Sequence, residues 1–303
     1  MCFASILIMK KINKIVLNII LLIFQVISIV LPTKCRIIFG KIVGNAIFLF
    51  WKSRRNIAIE NLNYSFPEKT KIEIKNIAKK SFQSIAITFL EFFAFNSFSI
   101  NKIKNMLDFD EGLDLITKSK TENQGMLFVS GHLGNWELIA YAVGMFVNFP
   151  ITIIVKPQAN EIVDRKLNKI RTAKGNKIVS MYNAAKTIIA EIKSGNVIAL
   201  LVDQAATKSF DVFVDFFGRP ASTFKVVAEL TLRYKIPLIM GFAIRKPNGM
   251  YKVELVEIEH SDLDFSKENI LELTKRHTKH LENIIRQYPE QWAWMHKRWK
   301  HTP

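Results

Sequence analysis

The stretch Gly125-Met-Leu-Phe-Val-Ser-Gly-His-Leu-Gly-Asn-Trp-Glu-Leu138 constrains this chain more than any other. It reads as a short buried strand, a glycine-bracketed turn and the start of an apolar helix. A strand that passes through a tight turn into a helix is the unit from which α/β sheets are assembled. His132 sits on the turn, and Glu137 follows after four intervening residues. A histidine and an acid so placed can form a base and its orienter, the minimum needed to make a hydroxyl nucleophilic. The same pair also fits a structural turn histidine and an acid favoured by the helix dipole.

Downstream of this unit, short apolar runs alternate with helical patterns. Strands are expected at Met126–Ser130, Ile151–Val155, Val197–Val202 and Val212–Phe217. Helices are expected at Trp136–Val147, Asn183–Lys193, Thr223–Tyr234 and Ser266–Gln287. Pro237–Arg245 and Met250–Ile258 flank Pro247-Asn248-Gly249, a hairpin turn signal. Upstream, Ser65-Phe66-Pro67-Glu68 looks like a helix start, and residues 68–95 have helical periodicity. The expected fold class is therefore α/β, with a mixed, mostly parallel sheet flanked by helices. No internal repeat is visible. The phenylalanines at 89, 92, 93, 95 and 98 read as core or as the lining of an acyl groove.

The N-terminal region has a different texture. Ile15 to Leu31 is an apolar run of 17 residues interrupted by Asn18, Gln25 and Ser28, with Lys10, Lys11, Lys14, Lys34 and Arg36 around it. That is the lower limit for a membrane-spanning helix. Pro32-Thr33-Lys34 follows, which is no signal-peptide cleavage site. An uncleaved N-terminal membrane helix is expected, with a signal peptide and an interfacial helix as alternatives. Residues 1–50 are assigned to this anchor and interfacial segment, and 51–303 to the body. The two cysteines, Cys2 and Cys35, exclude a disulfide framework and fit a cytosol-facing body. A net charge of +17 favours anionic partners, although an Ile-, Asn- and Lys-rich composition can also reflect coding bias. No nucleic-acid motif accompanies the charge, and none is expected as a partner.

Several chemistries lack their motifs. There is no His-x-x-x-His pair around His132 and no Cys-x-x-Cys, so a metal site is not expected. Gly-x-Gly-x-x-Gly, the P-loop and the Gly-x-Ser-x-Gly elbow are also absent, which removes dinucleotide, nucleotide and common serine-hydrolase readings. No enzyme nucleophile stands out, so His132 would deprotonate a substrate hydroxyl directly. Asp203 and Gln204 end an expected strand on the edge where α/β sites gather, and Asp203 also reads as a simple turn cap. Arg171 lies on a basic helix able to hold an anion or a developing oxyanion. Tyr288–Trp299 carries three of the five tryptophans, which read as a membrane belt, a stacking site or core closure.

Taken in order, these blocks resemble the late lipid A acyltransferases of Gram-negative bacteria, the lauroyl/myristoyl transferase family. The likeness rests on Gly-His-Leu-Gly-Asn-Trp-Glu at 131–137, on Pro157, Asn160 and Arg171, and on Val202-Asp203-Gln204. It continues through Phe216-Phe217-Gly218 with Thr223, and Pro289, Trp292, Trp294, His296 and Arg298. Ala205 stands where that family usually has an acid, and Lys225 where it has a small residue. The resemblance implies a glycerol-phosphate-acyltransferase-like fold and an O-acyltransferase of the bacterial inner membrane, its catalytic domain facing the cytoplasm. It implies acyl carrier protein as donor, a lipid A precursor as acceptor, no cofactor and no acyl-enzyme. His132 would be the base and Glu137 its orienter, with Arg171, Asn135, Asp203 and Gln204 binding substrate or the oxyanion. A different glycolipid or phospholipid acceptor, or a non-catalytic basic membrane-binding protein, are the alternatives.

Overall fold

The computed structural model describes residues 3–109, 113–121, 124–146, 151–206 and 211–301. The chain opens with four helices, α1 (Phe3–Val30), α2 (Thr33–Phe50), α3 (Lys52–Ser65) and α4 (Lys71–Ala94). Then come α5 (Ile100–Met106), β1 (Leu107–Phe109), α6 (Leu113–Thr121), β2 (Met126–Ser130), α7 (Trp136–Phe146) and β3 (Thr152–Val155). These lead to α8 (Glu161–Arg171), β4 (Lys177–Ser180), α9 (Ala184–Lys193), β5 (Val197–Leu201), β6 (Asp211–Phe216) and β7 (Arg219–Phe224). The chain closes with α10 (Val226–Tyr234), β8 (Leu238–Arg245), β9 (Tyr251–Glu257) and α11 (Lys267–Gln287).

Among the described residues, seven strands form one sheet in the order β1-β9-β8-β2-β5-β3-β4. Every pair is parallel except the β8–β9 hairpin, so the sheet is mixed and mostly parallel. β2 lies at its centre and is buried along its whole length. Alternate side chains of a strand point to opposite faces. Leu127 and Val129 accordingly join the core cluster that contains α11 residues, and Met126 and Phe128 join the one that contains α7. Full burial of side chains of this size contributes roughly 1.5–3 kcal/mol each.

Several boundaries differ from the sequence reading for local reasons. α4 starts at Lys71, because Thr70 and Glu73 form a reciprocal capping box there. Val147, the expected end of α7, lies outside the described residues. Thr223 and Phe224, expected to open a helix, instead end strand β7 (Arg219–Phe224), which pairs antiparallel with β6 across Phe217 and Gly218. Both turn residues have positive φ, 58° and 74°, as a tight hairpin turn of this hand requires. A buried Glu282 carboxylate accepts the Phe217 N–H at 2.8 Å and holds that turn.

The N-terminal helices depart further from expectation. Among the described residues no helix is long and apolar enough to cross a membrane, so the spanning anchor is not supported. α2 packs closely on α4: a methyl group added at Gly44 would stand 2.4 Å from the Gln83 Cα. Arg36, almost fully buried, donates to the Ser28 and Leu31 carbonyls at 2.8 and 2.7 Å and closes the end of α1. Apolar side chains nevertheless remain exposed here, including Ile19, Ile20, Leu22, Ile23, Phe50 and Trp51.

Candidate active site

The site forms where β2 and β5 end side by side. Their register pairs Ser130 with Leu201, and His132 and Asp203 each lie two residues beyond those partners. Two turns leaving adjacent parallel strands thus bring an imidazole and a carboxylate together at the carboxyl edge of the sheet, the usual place for a site in such folds. Asp203 Oδ1 lies 2.8 Å from His132 Nδ1, and Oδ2 accepts the His132 main-chain N–H at 2.7 Å. The indole N–H of Trp292 donates to the same Oδ2 at 2.9 Å.

These contacts correct two expectations. Asp203, expected to bind substrate or the oxyanion, is 1% exposed, and both its oxygens are taken up by His132 and Trp292. Glu137, expected at His132 Nδ1, points the other way. α7 carries it toward α8, where Arg171 Nη2 and Nε donate to its two oxygens at 2.5 and 3.0 Å. The Arg171 guanidinium also reaches Asn168 Oδ1 at 3.4 Å. Such a fork-to-carboxylate pair fixes both side chains in one plane.

Asn135 is corrected as well. It has no exposed surface; its Oδ1 accepts the Leu138 N–H at 2.9 Å and its Nδ2 donates to Glu91 Oε2 at 2.8 Å. It secures the start of α7 and does not line the site. Behind it, Tyr251 donates to the fully buried Glu91, and Arg245 donates to Tyr251 Oη and Thr88 Oγ1, each at 2.8 Å. The Thr88 hydroxyl in turn donates to the Gly134 carbonyl at 2.9 Å, so this network holds the His132 turn from below.

Above the turn, 19% of the His132 side chain is exposed. Gln204 Nε2 lies 3.4 Å from His132 Nε2 and 3.2 Å from His296 Nε2. Trp136 packs against the His132 ring with centroids 5.1 Å apart, and Phe89 meets Trp136 edge-on at 6.2 Å. Phe92, Phe93, Phe95 and Phe98 are buried in the core, with Phe92 under the Arg171 guanidinium, while Phe89 meets this wall. Trp292, Trp294 and Trp299 are buried too, which decides the C-terminal tryptophans in favour of core closure. The sequence reading assigned no role to His296; its place beside the imidazole of His132 depends on packing across the whole chain.

The electrostatics follow from these contacts. Burial disfavours the charged form of His132, but the charge and hydrogen bond of Asp203, and the charge of Glu137, raise its pKa above the ordinary value, against Arg171. Burial works upward on Asp203, yet His132 and the main-chain N–H keep its carboxyl well below the usual range. His296 is pushed down to about 4, by burial first and then by the charge of His132. Burial opposes the charge on Arg171, and Glu137 raises its pKa. Among the described residues no group of three His, Cys, Asp or Glu side chains could hold a metal ion.

The arrangement is an imidazole held through Nδ1 by a carboxylate, with Gln204 beside its Nε2, aromatics packed against the ring and a buried ion pair nearby. The family model for bacterial lipid A biosynthesis acyltransferases matches residues 8–301. The chain belongs to that family. It is 24% identical over 281 residues to the lipid A biosynthesis palmitoleoyltransferase of Escherichia coli, covering 90% of this chain and 87% of that one. It is 25% identical over 264 residues to the lauroyltransferase of the same organism, covering 86% and 84%. A lipid A biosynthesis acyltransferase of Haemophilus influenzae is 24% identical over 250 residues, covering 80% and 75%. The protein is accordingly an acyltransferase.

Proposed function

We propose that this acyltransferase moves a fatty acyl group from an acyl carrier protein thioester to a hydroxyl of a lipid A precursor, at the cytoplasmic face of the bacterial inner membrane. The observation that carries the reading is the 2.8 Å contact between Asp203 Oδ1 and His132 Nδ1 in a chain of this family. The carboxylate keeps the proton on Nδ1, which leaves the lone pair on Nε2. His132 takes the hydroxyl proton through Nε2, and the oxygen attacks the thioester carbonyl. The carbon–sulfur bond then breaks, and the thiolate leaves with the proton returned by His132. No enzyme-bound acyl group is needed.

The buried Glu137–Arg171 pair keeps a guanidinium near the charge that develops on the carbonyl oxygen, and Gln204 supplies an N–H beside Nε2. The net charge of +17 suits an acidic carrier protein and a phosphorylated acceptor. The exposed apolar side chains of α1 and α2, beside Lys52, Arg54 and Arg55, support seating on lipid. Mass spectrometry of lipid A from cells with and without this chain tests the proposal. Loss of one acyl chain, restored by the wild-type chain and not by His132→Ala, is the expected result; unchanged lipid A would reject the acceptor.

A further inference from the structure

Building on the proposed reaction, we propose that His296 is a positioning residue that holds the Gln204 carboxamide with an N–H directed at the reacting carbonyl oxygen. The geometry begins at Asp203. Because Asp203 accepts from His132 Nδ1, the Nε2 of the neutral ring, the form that acts as a base, carries a lone pair and is met by a donor. The Gln204 atom facing it must therefore be the amide nitrogen, at 3.4 Å. The same nitrogen stands 3.2 Å from His296 Nε2. One –NH2 group has two hydrogens, so it serves both imidazoles, and His296 Nε2 is an acceptor with the ring proton on Nδ1.

The two rings, with centroids 5.1 Å apart, together define the amide orientation. Turning the amide over would set a carbonyl oxygen against two lone pairs. When a substrate hydroxyl occupies His132 Nε2, one N–H of Gln204 is displaced and becomes available next to the attacked carbonyl. His296 retains the other. Without His296 the terminal amide torsion is soft and close to two-fold, so the oxygen would face the developing negative charge for much of the time.

The backbone carrying His296 is fastened from several directions. Asn61 Nδ2 donates to the Trp294 and His296 carbonyls, both at 2.8 Å. Arg54 donates to the Met295 carbonyl at 3.2 Å, and Ala293 N–H donates to the His132 carbonyl at 3.0 Å. Arg298, fully buried, donates to Thr223 Oγ1 at 2.6 Å. The segment is thus tied to α3, to the catalytic turn and to β7, and the imidazole it presents to the site is that of His296.

The test is steady-state acyl transfer by the full chain, from acyl carrier protein thioester to lipid A precursor. His296→Ala and the ring-sized His296→Phe both lose the acceptor and should lower kcat by about 10- to 100-fold, part of the roughly 10²–10³ attached to a whole oxyanion donor, with KM unchanged. His296→Gln, which restores a side-chain oxygen, should recover most of the rate. In a Gln204→Ala background, His296→Phe should cost nothing further, since both act through one amide. Wild-type kcat in His296→Phe, or losses that multiply in the double variant, would overturn the inference. Full activity in His132→Ala would instead overturn the base assignment on which it rests.

Discussion

Asp203 accepts both the ring N–H and the main-chain N–H of His132, one on each carboxylate oxygen, at 2.8 and 2.7 Å. One side chain thereby sets the tautomer of the proposed base and the direction of its ring. Asp203→Asn keeps the size and removes the charge, and its amide can donate to Nδ1 and so favour the wrong tautomer. The expected outcome is a kcat lower by about 10²–10⁴-fold, the range of a general base, in a chain that still folds. Single-turnover acyl transfer alongside far-UV circular dichroism checks it; near-wild-type turnover would remove Asp203 from the mechanism.

The raised pKa of His132 has a direction in pH. The base works when neutral, so kcat/KM should climb with pH and level off, with an inflection above the ordinary histidine value of about 6.5. Asp203→Asn removes the partner that raises it, and the inflection should move down. The stability consequences run the other way. A raised histidine pKa stabilises the fold fully below about 6.5, and that contribution is lost as pH rises through the folded value. The lowered Asp203 pKa contributes above about 3.9 and is lost on acidification through its folded value. A pH–rate profile of both proteins reads the first effect, and urea titrations at several pH values read the second.

His132 and its partner were legible in the sequence to different degrees. The histidine was visible because strand, glycine turn and helix are encoded within 14 adjacent residues. Its partner was not, since Asp203 becomes a neighbour only through the pairing of β2 with β5, and one chain without its strand order does not say which edges meet. Glu137 looked closer because it is close in sequence, but a helix start turns its side chain away, here to Arg171. The mostly parallel sheet followed from alternation, whereas β1, β4 and β7 were missed. Lys177-Ile-Val-Ser180 is short and only partly buried, and β7 begins with Arg219-Pro220, which breaks a strand pattern.

Glu137 and Arg171 make the next prediction. Both side chains are mostly buried, 6% and 16% exposed, and they share a bidentate contact. Glu137→Ala leaves the guanidinium without its counter-charge and should destabilise the fold by about 3–5 kcal/mol. Replacing both residues, Glu137→Leu with Arg171→Met, should recover most of that stability while acyl transfer stays lost. Urea melts with parallel activity measurements separate the two effects. A double variant as unstable as Glu137→Ala would show that the pair is not what holds this corner.

Gly134 carries the most severe local constraint on the turn that bears His132, the proposed base. Its φ is +59°, and an added methyl group would stand 2.0 Å from the Ala243 carbonyl oxygen. That oxygen is already in use, accepting the Asn135 N–H at 2.8 Å. Gly134 N–H donates to the Gln291 carbonyl at 3.1 Å, and its own carbonyl accepts from Thr88. The glycine is therefore pinned on both sides while β8 passes directly beneath it. Gly134→Ala meets strain from φ, worth about 1 kcal/mol or more, and a backbone clash that only a shift of the turn can relieve. Such a shift moves His132, two residues away, relative to Asp203, which stays on the turn that follows β5. The expected result is a loss of acyl transfer far larger than the loss of stability, because displacement of a reacting group by about 1 Å costs about 10²-fold. Gly175→Ala is the control: its φ is also positive, at +92°, but an added methyl would meet nothing within 4 Å. Thermal melts and initial rates of the two variants, side by side, separate strain from displacement; equal activity losses would show that the close approach to β8 does not position the base.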